Sequence, residues 1–182
     1  MTEVWLRPNR RVLILAMLPL AILHVISIVI YRGDGQWMPN WLGIIGIGIT
    51  AGLLLGLIRE VLKPRIAYQE GHVLFNLKSG SPIAVPLHVV EAFFQGESKA
   101  HLPGKNRHQA KSVNLIARLS QRETDWQRRD IKPALGQWKE GYITVHGTWC
   151  EPIDTDVIRR LNRRITELTR ERQANVEAEV DA

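Results

Sequence analysis

The sequence predicts an α+β membrane protein: an N-terminal transmembrane helical hairpin, then an antiparallel β-sandwich or barrel capped by a C-terminal amphipathic helix. Three observations carry that expectation. Two long uncharged apolar runs precede Pro64, short alternating apolar runs broken by turn residues follow it, and the chain then repeats apolar residues at three- and four-residue spacing.

The composition alone conceals this division. With 45% hydrophobic and 23% charged residues and a mean hydropathy of −0.10, the 182-residue chain averages like an ordinary soluble protein. Yet the stretch from Pro64 to Ala182 holds 18 of the 24 Lys and Arg residues and 15 of the 18 acids. Two solvents are implied. The expected division is 1–63 for an N-terminal segment and two helices (about 12–31 and 41–62), 64–173 for a cytoplasmic domain, and 174–182 for an acidic, disordered tail. The part after the helices suffices for one small domain with its own core. Cys150 is the sole cysteine, so no internal disulfide can form, and it reads as a small buried hydrophobe.

The first run, Val12 to Tyr31, is 20 residues long. As a helix rising about 1.5 Å per residue it spans a hydrocarbon core of about 30 Å. The second, Trp41 to Ile58, has 18 residues and extends to Leu62 before Pro64 stops it. A cleaved signal peptide is the rival for the first run. The run is longer than an ordinary signal core, no small-x-small cleavage pattern follows, and a second run comes soon after, so an uncleaved anchor is expected. Arg7, Arg10 and Arg11 precede the pair and Arg59, Lys63 and Arg65 follow it, while the connecting loop offers only Arg32. This asymmetry predicts a multi-pass protein of the cytoplasmic (inner) membrane with both termini in the cytoplasm. Trp5, Tyr31, Trp37 and Trp41 fall near the run ends, where aromatic rings favour the headgroup zone.

Gly48, Gly52 and Gly56 recur every four residues and form a helix-packing face, either for the first helix or for a second copy in a homo-oligomer. A relaxed GxGxxA match from Gly46 to Ala51 is set aside because it lies inside an apolar helix instead of a strand-to-helix turn. His24 and Pro19 interrupt the first run. With no charged residue inside either run to relay a proton, His24 reads as a hydrogen-bonding residue at the helix interface.

After Pro64, Val73, Phe75 and Leu77 alternate with polar neighbours, Ser79-Gly80-Ser81-Pro82 turns the chain, and Ile83, Val85 and Leu87 alternate again. Further strands are expected from Val89 to Phe94, at Val113, Leu115, Ala117 and Leu119, and at Ile143 and Val145. Ile158, Leu161, Ile165 and Leu168 then form the stripe of an amphipathic helix behind Asp154, Thr155 and Asp156 as cap candidates.

A hairpin followed by RIAYQEGHVLFNLKSGSPIAVPLHVVEAFFQG (65–96) and GYITVHGTWCEPIDTDVIRRLNRRITEL (141–168) resembles bacterial two-transmembrane-helix proteins with a pleckstrin-homology-like (PH-like) domain. The resemblance covers most of residues 1–173 and implies a bent antiparallel sheet of about seven strands closed by a C-terminal helix. Eukaryotic relatives that bind inositol lipids carry a basic cluster in the first strand-to-strand loop. Here Gln69-Glu70-Gly71-His72 has no Lys or Arg, so that specificity is not implied.

Ten Lys or Arg residues lie between Lys99 and Lys139, against Glu123, Asp125 and Asp130. Lys99, Lys105, Arg107 and Lys111 are the candidate contacts to an anionic surface, each contributing about 1 kcal/mol before screening. Trp126 among Arg122, Arg128 and Arg129 suggests base stacking, but no nucleic-acid motif accompanies it and a core role on a strand is preferred. His146 with Cys150, or His101 with His108, lacks the close-set quartet that zinc needs. No GxSxG elbow or P-loop occurs, and no cofactor is expected. The sequence therefore predicts a non-enzymatic, membrane-anchored binding or scaffold protein whose partners are the bilayer, another protein or a peptide. A small membrane enzyme or transporter subunit using His24, and a membrane-tethered nucleic-acid binder, are the alternatives.

Overall fold

Two helices of 23 residues each, α1 (Arg10–Arg32) and α2 (Asn40–Leu62), follow from the two apolar runs and overshoot the predicted spans by at most two residues at either end. Asn9 caps α1, its side chain accepting the Val12 N–H at 3.4 Å. The helices are antiparallel: as α2 advances through Gly43, Gly46 and Thr50, it meets Tyr31, Ser27 and His24 of α1 in descending order. Their other faces are bare, with Leu15, Val29 and Leu55 at 68%, 64% and 67% exposure. Both helices are long and apolar enough to cross a membrane. The computed structural model describes residues 2–33, 39–99 and 111–180. It divides into Pro8–Lys63, which contains this hairpin, and a second unit of Met1–Arg7 with Pro64–Ala182.

The N-terminal segment therefore belongs to the downstream domain and not, as the sequence division had it, to the helices. Residues Glu3–Leu6 form a strand, β1, antiparallel to β2 (Ile66–Gln69), with Leu6 opposite Ile66. The Arg65 N–H also donates to the Leu6 carbonyl at 2.8 Å. Trp5, expected near headgroups, is instead a core residue at 4% exposure, stacked on Tyr68 with ring centroids 5.6 Å apart. The helical hairpin is thus an insertion in the connection between two neighbouring strands.

The first sheet continues through β3 (His72–Phe75) and β4 (Ile83–Pro86) in the order β1-β2-β3-β4. The second comprises β5 (Val90–Lys99), β6 (Lys111–Leu119), β7 (Gly136–Lys139) and β8 (Tyr142–His146) in the order β5-β6-β8-β7. The five strands expected from alternation are present as β3 to β6 and β8, whereas β1, β2 and β7 are additions, bringing the strands to eight among the described residues. Glu70-Gly71 and Glu140-Gly141 close β2–β3 and β7–β8 with all four φ angles positive, the two-residue geometry that matches strand twist. Residues 95–99 and 111 also belong to the ladder: β5 and β6 run past β8 to the pair Lys99 and Lys111.

The ladder gives the domain two distinct ends. At one lies the row Leu6, Ile66, Phe75 and Ile83, from which the chain departs to and returns from the helical hairpin. Lys132 N–H donates to Leu77 O at 2.8 Å, Arg65 Nε to Trp149 O at 3.0 Å and His146 N–H to Leu135 O at 2.9 Å, gathering four connections there. At the other end Leu87 N–H reaches Gly71 O and Leu119 N–H reaches Gly141 O, so both Glu-Gly turns point that way.

Helix α3 (Thr155–Val180) begins behind Asp154, whose carboxylate accepts the Val157 N–H at 2.8 Å. Val157, Leu161, Ile165 and Leu168 face the core made by Leu6, Ile66, Phe75, Phe93, Leu115 and Ile143. Asn162 completes the packing by acting like a strand: its amide oxygen accepts the Phe93 N–H at 2.7 Å and its amide N–H donates to Phe93 O at 2.9 Å. That pair closes the free edge of β5 at this point. Arg164 forks onto the Glu3 carboxylate at 2.9 and 3.0 Å, holding α3 on β1. Those bonds, with one to Glu167, raise the Arg164 pKa above its ordinary value. The helix also continues through the acidic stretch expected to be a disordered tail after residue 173.

If β1 is a working part of the domain, Leu6→Ala should cost about 2–5 kcal/mol of domain stability. Val4→Ala, at a half-exposed neighbour, should stay within about 0.5 kcal/mol. Denaturant unfolding of the detergent-solubilised chain, followed by tryptophan emission, measures both.

Candidate functional site

Within the helical hairpin the polar groups pair with one another. His24 Nδ1 lies 2.6 Å from Thr50 Oγ1, and the Thr50 hydroxyl donates to Gly46 O at 2.7 Å. A hydroxyl has one proton, so the imidazole supplies the donor in the first bond. The Ser27 hydroxyl donates to Leu23 O at 2.9 Å. His24 is thereby a half-buried link between the helices, as the sequence suggests, and the apolar runs hold no charged group to which it could pass a proton.

The glycines divide in a way the sequence does not reveal. A side chain at Gly43 would strike the Tyr31 backbone, and one at Gly46 would strike Ser27, so these two permit the close approach of α1 and α2. Around Gly48, Gly52 and Gly56 nothing lies within 4 Å of a built Cβ. The predicted packing stripe therefore does not face α1.

In the β domain, the end marked by Ile66 and Ile83 presents three cations. Lys78 follows β3, and Arg129 and Lys132 belong to the segment before β7; all three are exposed. Lys78 and Arg129 share with Asp130, Pro82, Ile83 and Trp126 the wall of a cavity of about 430 Å³. At the opposite end the exposed charges include Glu70 and Glu140 in the turns; Lys139 sits 3.1 Å from Glu140, and Arg118 is 2.8 Å from Glu91. Of the predicted surface contacts, Lys99 and Lys111 are paired at the β5–β6 tip, and Lys105 and Arg107 lie outside the described residues.

Trp126 sits on a short 3₁₀ turn (Thr124–Trp126), not on a strand. It packs against the core with Trp138 stacked at 6.3 Å and the Arg129 guanidinium 4.9 Å from its ring centre. Its carbonyl accepts the Trp138 indole N–H at 2.8 Å.

The Cys150 thiol donates to His146 O at 3.6 Å, while His146 Nδ1 is 3.2 Å from Ala134 O. The two side chains therefore do not present a joint ligand pair. Burial pushes the Cys150 thiol up to about 12, against a smaller opposing influence from Arg65, itself only 2% exposed. His101 and His108 lie outside the described residues, and among those described no three His, Cys, Asp or Glu side chains group as metal ligands.

Comparison with protein-family models, with characterised proteins and with solved structures finds no match to this chain.

Two outcomes follow. Gly43→Val should weaken the association of α1 and α2, seen as a lower melting temperature in detergent, whereas Gly52→Val should leave it unchanged. Cys150 should resist maleimide at neutral pH in the folded chain and react once unfolded. Because its folded pKa lies above its ordinary value of 9.0, its contribution to stability is full below pH 9 and is lost as pH rises through about 12. Denaturant titrations at pH 7 and above 9 check the sign.

Proposed function

We propose that this chain is a non-enzymatic membrane-anchored binding or scaffold protein. Helices α1 and α2 lie in the inner membrane with both termini cytoplasmic, and a PH-like domain is held at the surface to engage a protein, a peptide or the anionic leaflet. The observation that carries this reading is the insertion of two bare apolar helices between the paired strands β1 and β2. A water-soluble fold has no use for such an insertion: large exposed side chains including Leu15, Ile22, Val29, Ile49 and Leu55 would stand in water along both helices. In lipid the same faces are at home, and their backbone groups are satisfied within the helices.

The domain supports binding better than catalysis. Its large buried cluster is apolar and serves the core, the few buried polar residues include Arg65, whose Nε donates to the Trp149 carbonyl, and its cysteine is chemically quiet. The interhelical bond of His24 favours a structural part over the transporter or enzyme alternative.

Because Leu6 and Ile66 are ladder neighbours, replacing residues 8–63 by a tight turn such as Asn-Gly should join β1 directly to β2. The resulting protein should fold and remain in the soluble fraction, while the full chain should sediment with membranes and resist carbonate extraction. Release of the full chain by carbonate contradicts the proposal. In the same assay, His24→Ala should remain membrane-bound.

A further inference from the structure

Only one of the two ends of the β domain is joined to the helices. Three residues connect Leu6 to the first residue of α1, and three connect the last residue of α2 to Ile66. Each such linker reaches only about 11 to 14 Å even when extended. With the hairpin in the bilayer, the row Leu6, Ile66, Phe75 and Ile83 is therefore tethered close to the headgroup layer. Ile83, two strands along this row from Ile66, is itself part of the wall of the 430 Å³ cavity. Adjacent strands are separated by about 4.8 Å, so the cavity begins about 10 Å from the tether.

From this placement we infer that the cavity formed by Lys78, Arg129, Trp126 and the β4 edge receives the headgroup of an anionic phospholipid in the leaflet beside the protein's own anchor. The inference rests on the membrane reading and gives it a site. Two exposed cations face one carboxylate, Asp130, so the local balance favours an anion. Arg129 is held near the Trp126 ring, which fixes part of its freedom before a ligand arrives. Pro82, Ile83 and Trp126 add an apolar wall suited to the glycerol and upper acyl region of a lipid, which a freely dissolved phosphate would leave unused. Glu70 and Glu140 stand in the two turns of the far end, where an anionic leaflet repels them. The site is distinct from the first strand-to-strand turn, Gln69 to His72, at that opposite end.

The test uses the full chain with Ala84→Cys, an exposed position on the cavity wall, labelled with an environment-sensitive maleimide dye. Cys150 can stay, since it is buried and its thiol holds its proton at neutral pH. The protein is placed in nanodiscs of phosphatidylcholine alone or with phosphatidylglycerol. The expected result is a blue shift in the anionic discs that disappears with Lys78→Gln and Arg129→Gln together and persists with Lys78→Arg and Arg129→Lys. Equal emission in the two kinds of disc, or a shift that survives the Gln pair, overturns the inference while leaving the membrane reading intact. The same shift in phosphatidylcholine discs on adding inorganic phosphate assigns the cavity to free anions and also overturns it. A folded chain that does not enter discs at all overturns the membrane reading as well.

Discussion

The pairing of Leu6 with Ile66 is the constraint around which this molecule is organised. These residues are sixty positions apart in the chain and adjacent in the ladder, with both helices lying between them in sequence. The loop-closure cost of such a separation grows only logarithmically, and the helices shorten it further by folding back on themselves. The strand that results is short, but it is buried on its core face and is fixed from outside by α3 through Arg164 and Glu3. This N-terminal segment is thereby part of the core, with Trp5 and Leu6 buried in it.

The same constraint has a functional consequence. The helical hairpin leaves the β domain after β1 and rejoins it at β2, through two short connections to neighbouring strands. The end from which they leave is the one that collects Lys78, Arg129 and Lys132, while the two Glu-Gly turns belong to the other. Asn162 contributes separately, by capping the edge of β5 and removing a place where another strand could add.

Much of this was legible in the sequence because the signals were long or regular. The apolar runs placed both helices, alternation placed β3 to β6 and β8, and the stripe from Ile158 to Leu168 placed α3. What escaped had weak local signatures. Four residues of β1 give too few alternations to read, and Trp5 near an apolar run has an interfacial explanation that burial alone can exclude. β7 is also four residues long, with only Trp138 as a large apolar side chain, and its pairing with β8 depends on a turn containing a non-glycine residue at positive φ. The glycine stripe illustrates a different limit: a four-residue spacing identifies a face but not its neighbour, and Gly43 and Gly46 face α1. The cavity wall draws on β4, a turn and the segment before β7, so no contiguous motif exists to be found.

The placement of the bare helix faces in lipid is the claim on which the functional account stands. Its most direct measurement is collision accessibility of nitroxide labels at Leu15, Ile22 and Leu55 in the membrane-reconstituted full chain. The account predicts that apolar oxygen relaxes all three labels more effectively than a water-soluble nickel complex, with the nickel effect lowest toward the middle of the helices. Strong, uniform relaxation by nickel at these positions would mean that the faces meet water, and would contradict the account.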